Sequence, residues 1–239
     1  MAKPFLTADW RKLVLANYAI DPKVLEPYLP FGTELDFWDN KCYVSLVGFM
    51  FLNTKVKGIK VPGHVNFEEV NLRFYVQRTD ESGKVKRGVV FLKEIVPKPM
   101  ITFVANTFFK EHYETRAMSH LWEEKGKSQV VKYTWYVGNL ENSILVEAQK
   151  ESKVISPNSK AFFITEHYWG YSQGKNNTSN AYEVKHPSWK IYPVKKAVIN
   201  VDFAFTYGKK FEFLNQHQPA SVMLAEGSEI SVGNKRIVS

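Results

Sequence analysis

The stretch Glu69-Val70-Asn71-Leu72-Arg73-Phe74-Tyr75-Val76 alternates polar and apolar residues without a break. In an extended strand the side chains of Glu69, Asn71, Arg73 and Tyr75 share one face, and Val70, Leu72, Phe74 and Val76 share the other. Simple alternation makes the polar face a solvated one. A central arginine beside an amide and a carboxyl is also what the floor of a polar pocket needs, because a guanidinium holds a carboxylate through two parallel hydrogen bonds. Arg73 and Asn71 are therefore candidate ligand-binding residues, and Glu69 is a candidate acid or base.

Three further stretches carry groups that could do chemistry. In His112-Tyr113-Glu114 the first and third side chains share a strand face opposite Tyr113. His112 titrates near neutral pH and is a candidate proton carrier, and Tyr113 is a candidate ligand contact. The segments around Tyr168 and Trp189 are rich in rings and offer both residues as pocket walls, although packing is the commoner role of such residues. His167 and His186 lie in the same segments, but no paired-histidine or Cys/His spacing supports a metal. Glu226 precedes Gly227 at a strand-to-turn transition, where a carboxylate serves as a general acid or base, or binds backbone N–H groups of a turn. The chain holds no Gly-x-Ser-x-Gly elbow, Gly-x-Gly-x-x-Gly fingerprint or phosphate-binding loop, so serine hydrolysis and nucleotide binding have no support and no cofactor is expected.

The elements that must position these residues are mostly short strands. Lys12 to Ile20 reads as a strand, and Asp21-Pro22 opens a short helix to Tyr28. Glu34 to Trp38 and Cys42 to Leu52 flank a polar turn and predict a hairpin. Lys55 to His64, with two glycines and a proline, is a loop suited to rim a pocket. Glu68 to Arg78 and Gly88 to Val96 predict a second hairpin. Lys98 to Phe109 is apolar all round and predicts a buried helix. Tyr113 to Leu121, Ser128 to Gly138 and Ser143 to Lys150 read as a meander, and Ser156 is a candidate cap for a helix through Phe163. Further strands follow at Ala181 to Lys185, Lys190 to Phe205, Ser221 to Ala225, Glu229 to Val232 and Arg236 to Val238, with a short helix over Lys209 to His217. No composition break or repeat divides the chain, so one domain over residues 1–239 is expected, built as a large, barrel-like antiparallel sheet.

Composition bounds the partners. The chain has 239 residues, 44% hydrophobic and 15% aromatic, enough for one sizeable core. Its formal net charge of +8 is spread over turns and strand edges rather than gathered in a basic run, so nucleic acid is not an expected partner. The single cysteine, Cys42, excludes an internal disulfide and reads as a small core residue. No apolar run approaches the roughly 20 residues that span a bilayer, and no signal peptide is evident, so a cytoplasmic protein with no membrane partner is expected.

Taken in order, Leu25-Glu26-Pro27-Tyr28-Leu29-Pro30, Glu69 to Val76, Gly88-Val89-Val90-Phe91, His112-Tyr113 with Arg116-Ala117-Met118, Thr165-Glu166, His186-Pro187-Ser188-Trp189 with Pro193, and Leu224 to Ser228 resemble the YqjF-like bacterial proteins of the acetoacetate decarboxylase-like superfamily. The resemblance spans nearly the whole chain. It implies a mainly β, α+β fold: a large curved antiparallel sheet forming a cone or barrel around a central cavity, with a few covering helices. It also implies a small acidic metabolite as partner, an acidic carbonyl compound above all, and is compatible with a homo-oligomer. Decarboxylases of this superfamily form a Schiff base on one of two adjacent lysines. The corresponding stretch here, Phe91 to Lys98, has no such pair, and Lys93 is the candidate nucleophile that remains. Arg73, Glu69 and Glu226 are the site residues that the resemblance favours.

Overall fold

The computed structural model describes residues 3–239. The strands in chain order are β1 (Leu6–Ile20), β2 (Glu34–Leu35), β3 (Cys42–Val56), β4 (Phe67–Thr79), β5 (Val85–Val96), β6 (Tyr113–Thr115), β7 (Met118–Lys125) and β8 (Ser128–Val137). They continue with β9 (Leu140–Gln149), β10 (Lys153–Val154), β11 (Trp169–Gln173), β12 (Ser179–Lys185), β13 (Lys190–Tyr192), β14 (Val194–Asn200), β15 (Ser221–Val232) and β16 (Arg236–Val238). The α-helices are short: α1 (Pro22–Leu25), α2 (Pro99–Val104), α3 (Lys160–Thr165) and α4 (Phe203–Tyr207).

Twelve strands form one large, mostly antiparallel sheet whose central run is β15-β1-β3-β4-β5-β11-β12. Parallel pairing occurs where β5 meets β11 and β6. At the far end β12 returns to pair with β15, so the sheet curls back on itself as a cone. Its outer face is covered by a second, four-stranded sheet, β14-β9-β8-β7. Val14, Leu46, Val70 and Leu72 of the large sheet bury against Tyr133, Trp135, Ile144 and Val146 of the small one. Gly48 is required there, because a Cβ at that position would lie 2.9 Å from the Tyr133 ring.

The inner face of the cone has its own cluster, which includes Leu13, Leu15, Val47, Phe49, Phe51, Phe67 and Val89. Both faces of the strands are therefore buried, and the solvated reading of the Glu69–Tyr75 face does not hold. Glu69, Asn71, Arg73 and Tyr75 all lie under 9% exposed, on the inner side. Two irregularities reset the in–out alternation. Lys12 has φ +54° within the register shift between Arg11 and Val14, so Trp10 and Leu13 both face inward. In β5, Leu72 pairs with Lys93 but Arg73 pairs with Phe91, which leaves Leu92 as the extra residue of a bulge.

Several local expectations are corrected. Glu34–Leu35 pairs with β4, not β3, because β3 is occupied on both edges by β1 and β4. Asp39 and Asn40 adopt positive φ and close only a single bridge, Trp38 to Lys41. The helix after Lys98 forms, but it lies over the open end of the cone. It leaves Met100, Phe103 and Phe108 exposed and continues as a π-helical turn to Phe109, its buried residue. Helix α3 is capped by Ser159, not Ser156. The stretch from Lys190 breaks at Pro193, and Phe203–Tyr207 is helical because Asp202 caps it. Tyr113–Thr115 belongs to the large sheet, apart from the β7-β8-β9 meander. Ser221–Val232 is one strand, continuous through Gly227 at φ +80°. Cys42 is buried, with its thiol on the Ile20 carbonyl oxygen. No helix among the described residues is long and apolar enough to cross a membrane.

Candidate functional site

The cone holds a partly open cavity of about 270 Å³. Most of its wall is aromatic or aliphatic, from Trp10, Phe49, Phe51, Phe67 and Phe91 to Ile101 of the covering helix. Polar side chains gather at one region of this wall, contributed by β4, β5, β6, β12 and the turn before β6. They are Glu69, Asn71, Arg73, Glu94, Glu111, Tyr113 and Tyr182.

These groups are partly bonded to one another. Asn71 Nδ2 donates to Glu69 Oε1 at 3.0 Å and the Tyr113 hydroxyl donates to Glu69 Oε2 at 3.0 Å. The Tyr182 hydroxyl donates to Glu111 Oε1 at 2.9 Å. Other atoms are left over. Ten buried side-chain polar atoms among the described residues have no hydrogen-bond partner, and six belong to the cavity wall: Trp10 Nε1, Thr54 Oγ1, Asn71 Oδ1, Arg73 Nε, Glu94 Oε2 and Glu111 Oε2. Folded chains rarely tolerate such atoms, so their concentration here marks a place built for a guest.

Burial controls the charge of the site. It pushes Glu69 up to about 7, against the hydrogen bonds from Asn71 and Tyr113. Burial likewise raises Glu111 to about 8 and lifts Glu94 well above the ordinary carboxyl range, helped by the charges of Glu111 and Glu69. The hydroxyls of Tyr113 and Tyr182 are raised too, chiefly by burial and then by the neighbouring glutamates, and stay protonated donors. Arg73 is the exception in sign. It is 7% exposed, and no carboxylate of the described residues lies within the 4.0 Å of an ion pair. Were all three carboxyls ionised, the region would repel anions; with Glu94 and Glu111 largely neutral, the guanidinium offsets the charge that Glu69 carries.

Glu69, Asn71, Arg73 and Tyr113 thus converge. The other sequence candidates do not. Lys93 faces the outside of β5 because of the bulge at Leu92, and its Nζ lies 2.7 Å from Glu114. His112 is exposed, and only its backbone carbonyl is engaged, by the Glu94 N–H at 3.1 Å. Glu226 pairs with Lys12 at 3.2 Å, on a part of β15 that does not line the cavity. Tyr168 bonds Glu166 and stacks at a tilt with His186, away from the cavity. Trp189 is buried, with its Nε1–H on Ser228 Oγ, and lines a small chamber next to the cavity. Sequence reasoning missed Glu94, Glu111 and Tyr182. Glu94 stands beside Lys93 in an apolar strand, and the bulge at Leu92 decides which of the two faces inward; Glu111 and Tyr182 carry no local signal. No cluster of His, Cys, Asp and Glu among the described residues has the arrangement of a metal site.

The cone has the acetoacetate decarboxylase-like fold. The acetoacetate decarboxylase of Legionella pneumophila superposes with TM-score 0.66 at 10% identity, covering 100% of this chain and 88% of that one. The enduracididine biosynthesis enzyme MppR superposes with TM-score 0.69 at 12% identity, covering 100% and 89%. MppR has also been solved in complex with pyruvate, with TM-score 0.68 at 13% identity over 100% and 92%. Within that fold, residues 7–229 match DUF2071, described as uncharacterized conserved proteins, and the chain belongs to this family. The uncharacterized protein YqjF of Bacillus subtilis strain 168 is 30% identical over 105 residues. That match covers 44% of this chain and 41% of the Bacillus protein, less than half of its length.

Proposed function

We propose that the cavity binds a small carboxylate with an apolar body, an acidic carbonyl compound being the class that fits it. The observation that carries this reading is Arg73: a buried guanidinium with no ion-pair partner among the described residues, facing a cavity in which burial holds Glu94 and Glu111 largely neutral. A buried unpaired charge is costly and calls for an anionic partner. The aromatic and aliphatic wall matches the ligand's body, since burying apolar area is worth about 25 cal/mol per Å². Neutral Glu94 and Glu111, each with a carboxyl oxygen that has no partner, can donate hydrogen bonds to a carbonyl oxygen. Glu69, titrating near neutrality, is the group suited to move a proton.

Among the described residues no lysine lines the cavity, which favours non-covalent binding over Schiff-base decarboxylation. Binding without turnover is accordingly the second reading. In both, the chain works as a single cytoplasmic domain, alone or as a homo-oligomer, without nucleic acid, membrane, metal or cofactor.

Calorimetric titration with phenylpyruvate and pyruvate tests the proposal. Wild-type protein should bind phenylpyruvate more tightly than pyruvate, and Arg73→Met should weaken phenylpyruvate binding by about 30-fold or more. Undiminished affinity in Arg73→Met sinks the assignment. Mass spectrometry of the incubated ligand separates the two readings: an altered mass means turnover, an unaltered one means binding alone.

A further inference from the structure

Arg73 borders a second space. A chamber of about 20 Å³ lies against the same wall, lined by Trp10, Arg73, Thr165, His167, His186 and Trp189 among others. Trp10, Arg73, Phe91, Tyr182 and Val184 line both the chamber and the main cavity, so the two adjoin. Since a single water takes roughly 10–15 Å³ of such volume, the chamber has room for one oxygen-sized group.

His167 is held there in a defined state. Its side chain is 1% exposed, and its Nε2 lies 3.0 Å from Asp36 Oδ2, which also accepts from Arg87 Nε at 2.6 Å. Burial alone would raise Asp36, but the hydrogen bonds from His167 and Arg87 outweigh it and keep the carboxylate ionised. An ionised carboxylate only accepts, so Nε2 carries the ring proton. Burial pushes His167 down to about 4, so the ring is neutral and Nδ1 is a bare acceptor. The rings of Tyr75 and Phe163 pack on the imidazole and fix its orientation.

Three residues of this chamber carry buried polar atoms without partners: His167 Nδ1, Arg73 Nε and Trp10 Nε1. The first accepts and the other two donate. A hydroxyl oxygen accepts two hydrogen bonds and donates one, so one hydroxyl completes the set. A hydrogen atom completes none of it, and a carbonyl oxygen leaves His167 unmet. Resting on the reading of Arg73 as the carboxylate partner, we propose that this chamber is a hydroxyl subsite and that the preferred ligand is a 2-hydroxy carboxylate, or the enol of a 2-oxo acid, with its hydroxyl between Arg73 and His167. Asp36 is the positioning residue that fixes the tautomer of His167.

Equilibrium binding of 3-phenyllactate and 3-phenylpropionate, which differ only in that hydroxyl, tests the inference. Wild-type protein should prefer phenyllactate by about tenfold or more, because an unmet buried group is expensive. His167→Phe should reduce the preference to within about twofold. Should that variant fail to fold, His167→Leu serves instead: it also removes the Nδ1 acceptor, leaves the Asp36–Arg87 ion pair in place and collapses the preference. Equal binding of both acids by wild-type protein, as a resident water that no ligand displaces would produce, overturns the hydroxyl subsite and leaves the Arg73 assignment standing. Binding of neither acid removes both. A full preference retained in either variant overturns the role of His167.

Discussion

Lys93 Nζ lies 2.7 Å from Glu114 Oε1, while its sequence neighbour Glu94 is buried in the cavity wall. In a regular strand neighbours also point oppositely, but there Lys93 would share the inward face of Phe91. The bulge at Leu92 exchanges the two, putting a carboxyl where an amine would otherwise stand. Borohydride reduction in the presence of pyruvate should therefore leave the mass of the Lys93 peptide unchanged. Lys93→Ala should cost less than about 1 kcal/mol in urea unfolding, as expected for a partly exposed ion pair. A reduced pyruvyl adduct on Lys93 would contradict the placement.

Glu94 gives a pH signature. Its carboxyl has an ordinary value of 4.5 and is raised well above it by burial in the fold. Between those values the native protein holds a proton that the unfolded chain has released, so stability falls as pH climbs. Glu94→Gln removes this dependence. The variant and wild type should have similar stability below about pH 4.5, and the variant should become the more stable by more than about 1 kcal/mol as pH rises towards about 8. Thermal melts of both proteins across that range are the check; parallel profiles would refute the buried-acid picture.

Arg73 should be a residue held for function at some expense of stability. Because it has no ion pair among the described residues, Arg73→Met removes a buried charge without stranding a bonded partner. Its denaturant midpoint should stay within about 1 kcal/mol of wild type, or rise, even as ligand affinity drops. A loss of more than about 3 kcal/mol would mean that the guanidinium is structural.

Gly170 should matter to the site at one remove. A Cβ there would lie 2.2 Å from Tyr182 Cζ and 2.5 Å from its hydroxyl oxygen, the same hydroxyl that donates to Glu111. Gly170→Ala should destabilise the protein by about 1–3 kcal/mol through overpacking and displace Tyr182 from Glu111. A crystal structure of the variant with that hydrogen bond intact would count against the coupling.

The sequence by itself determined the strands and the likeness to the fold. Alternation along Glu68 to Arg78, the turn chemistry of Asp21-Pro22 and the apolar runs of β1, β3 and β5 are local signals, each encoded in the pleat or in one backbone preference. It also determined which residues of β4 share a face, since that follows from period two. What it could not determine is which face looks inward, because β4 is buried on both sides and alternation carries no inside or outside. Only the tertiary structure decided that Arg73 meets a cavity, that a bulge at Leu92 turns Lys93 out and Glu94 in, and that Asp36, Glu111, His167 and Tyr182 arrive at the site from distant parts of the chain. Bulges and long-range convergence arise from how a twisted sheet closes on itself, a property of the whole chain that no short window of residues contains.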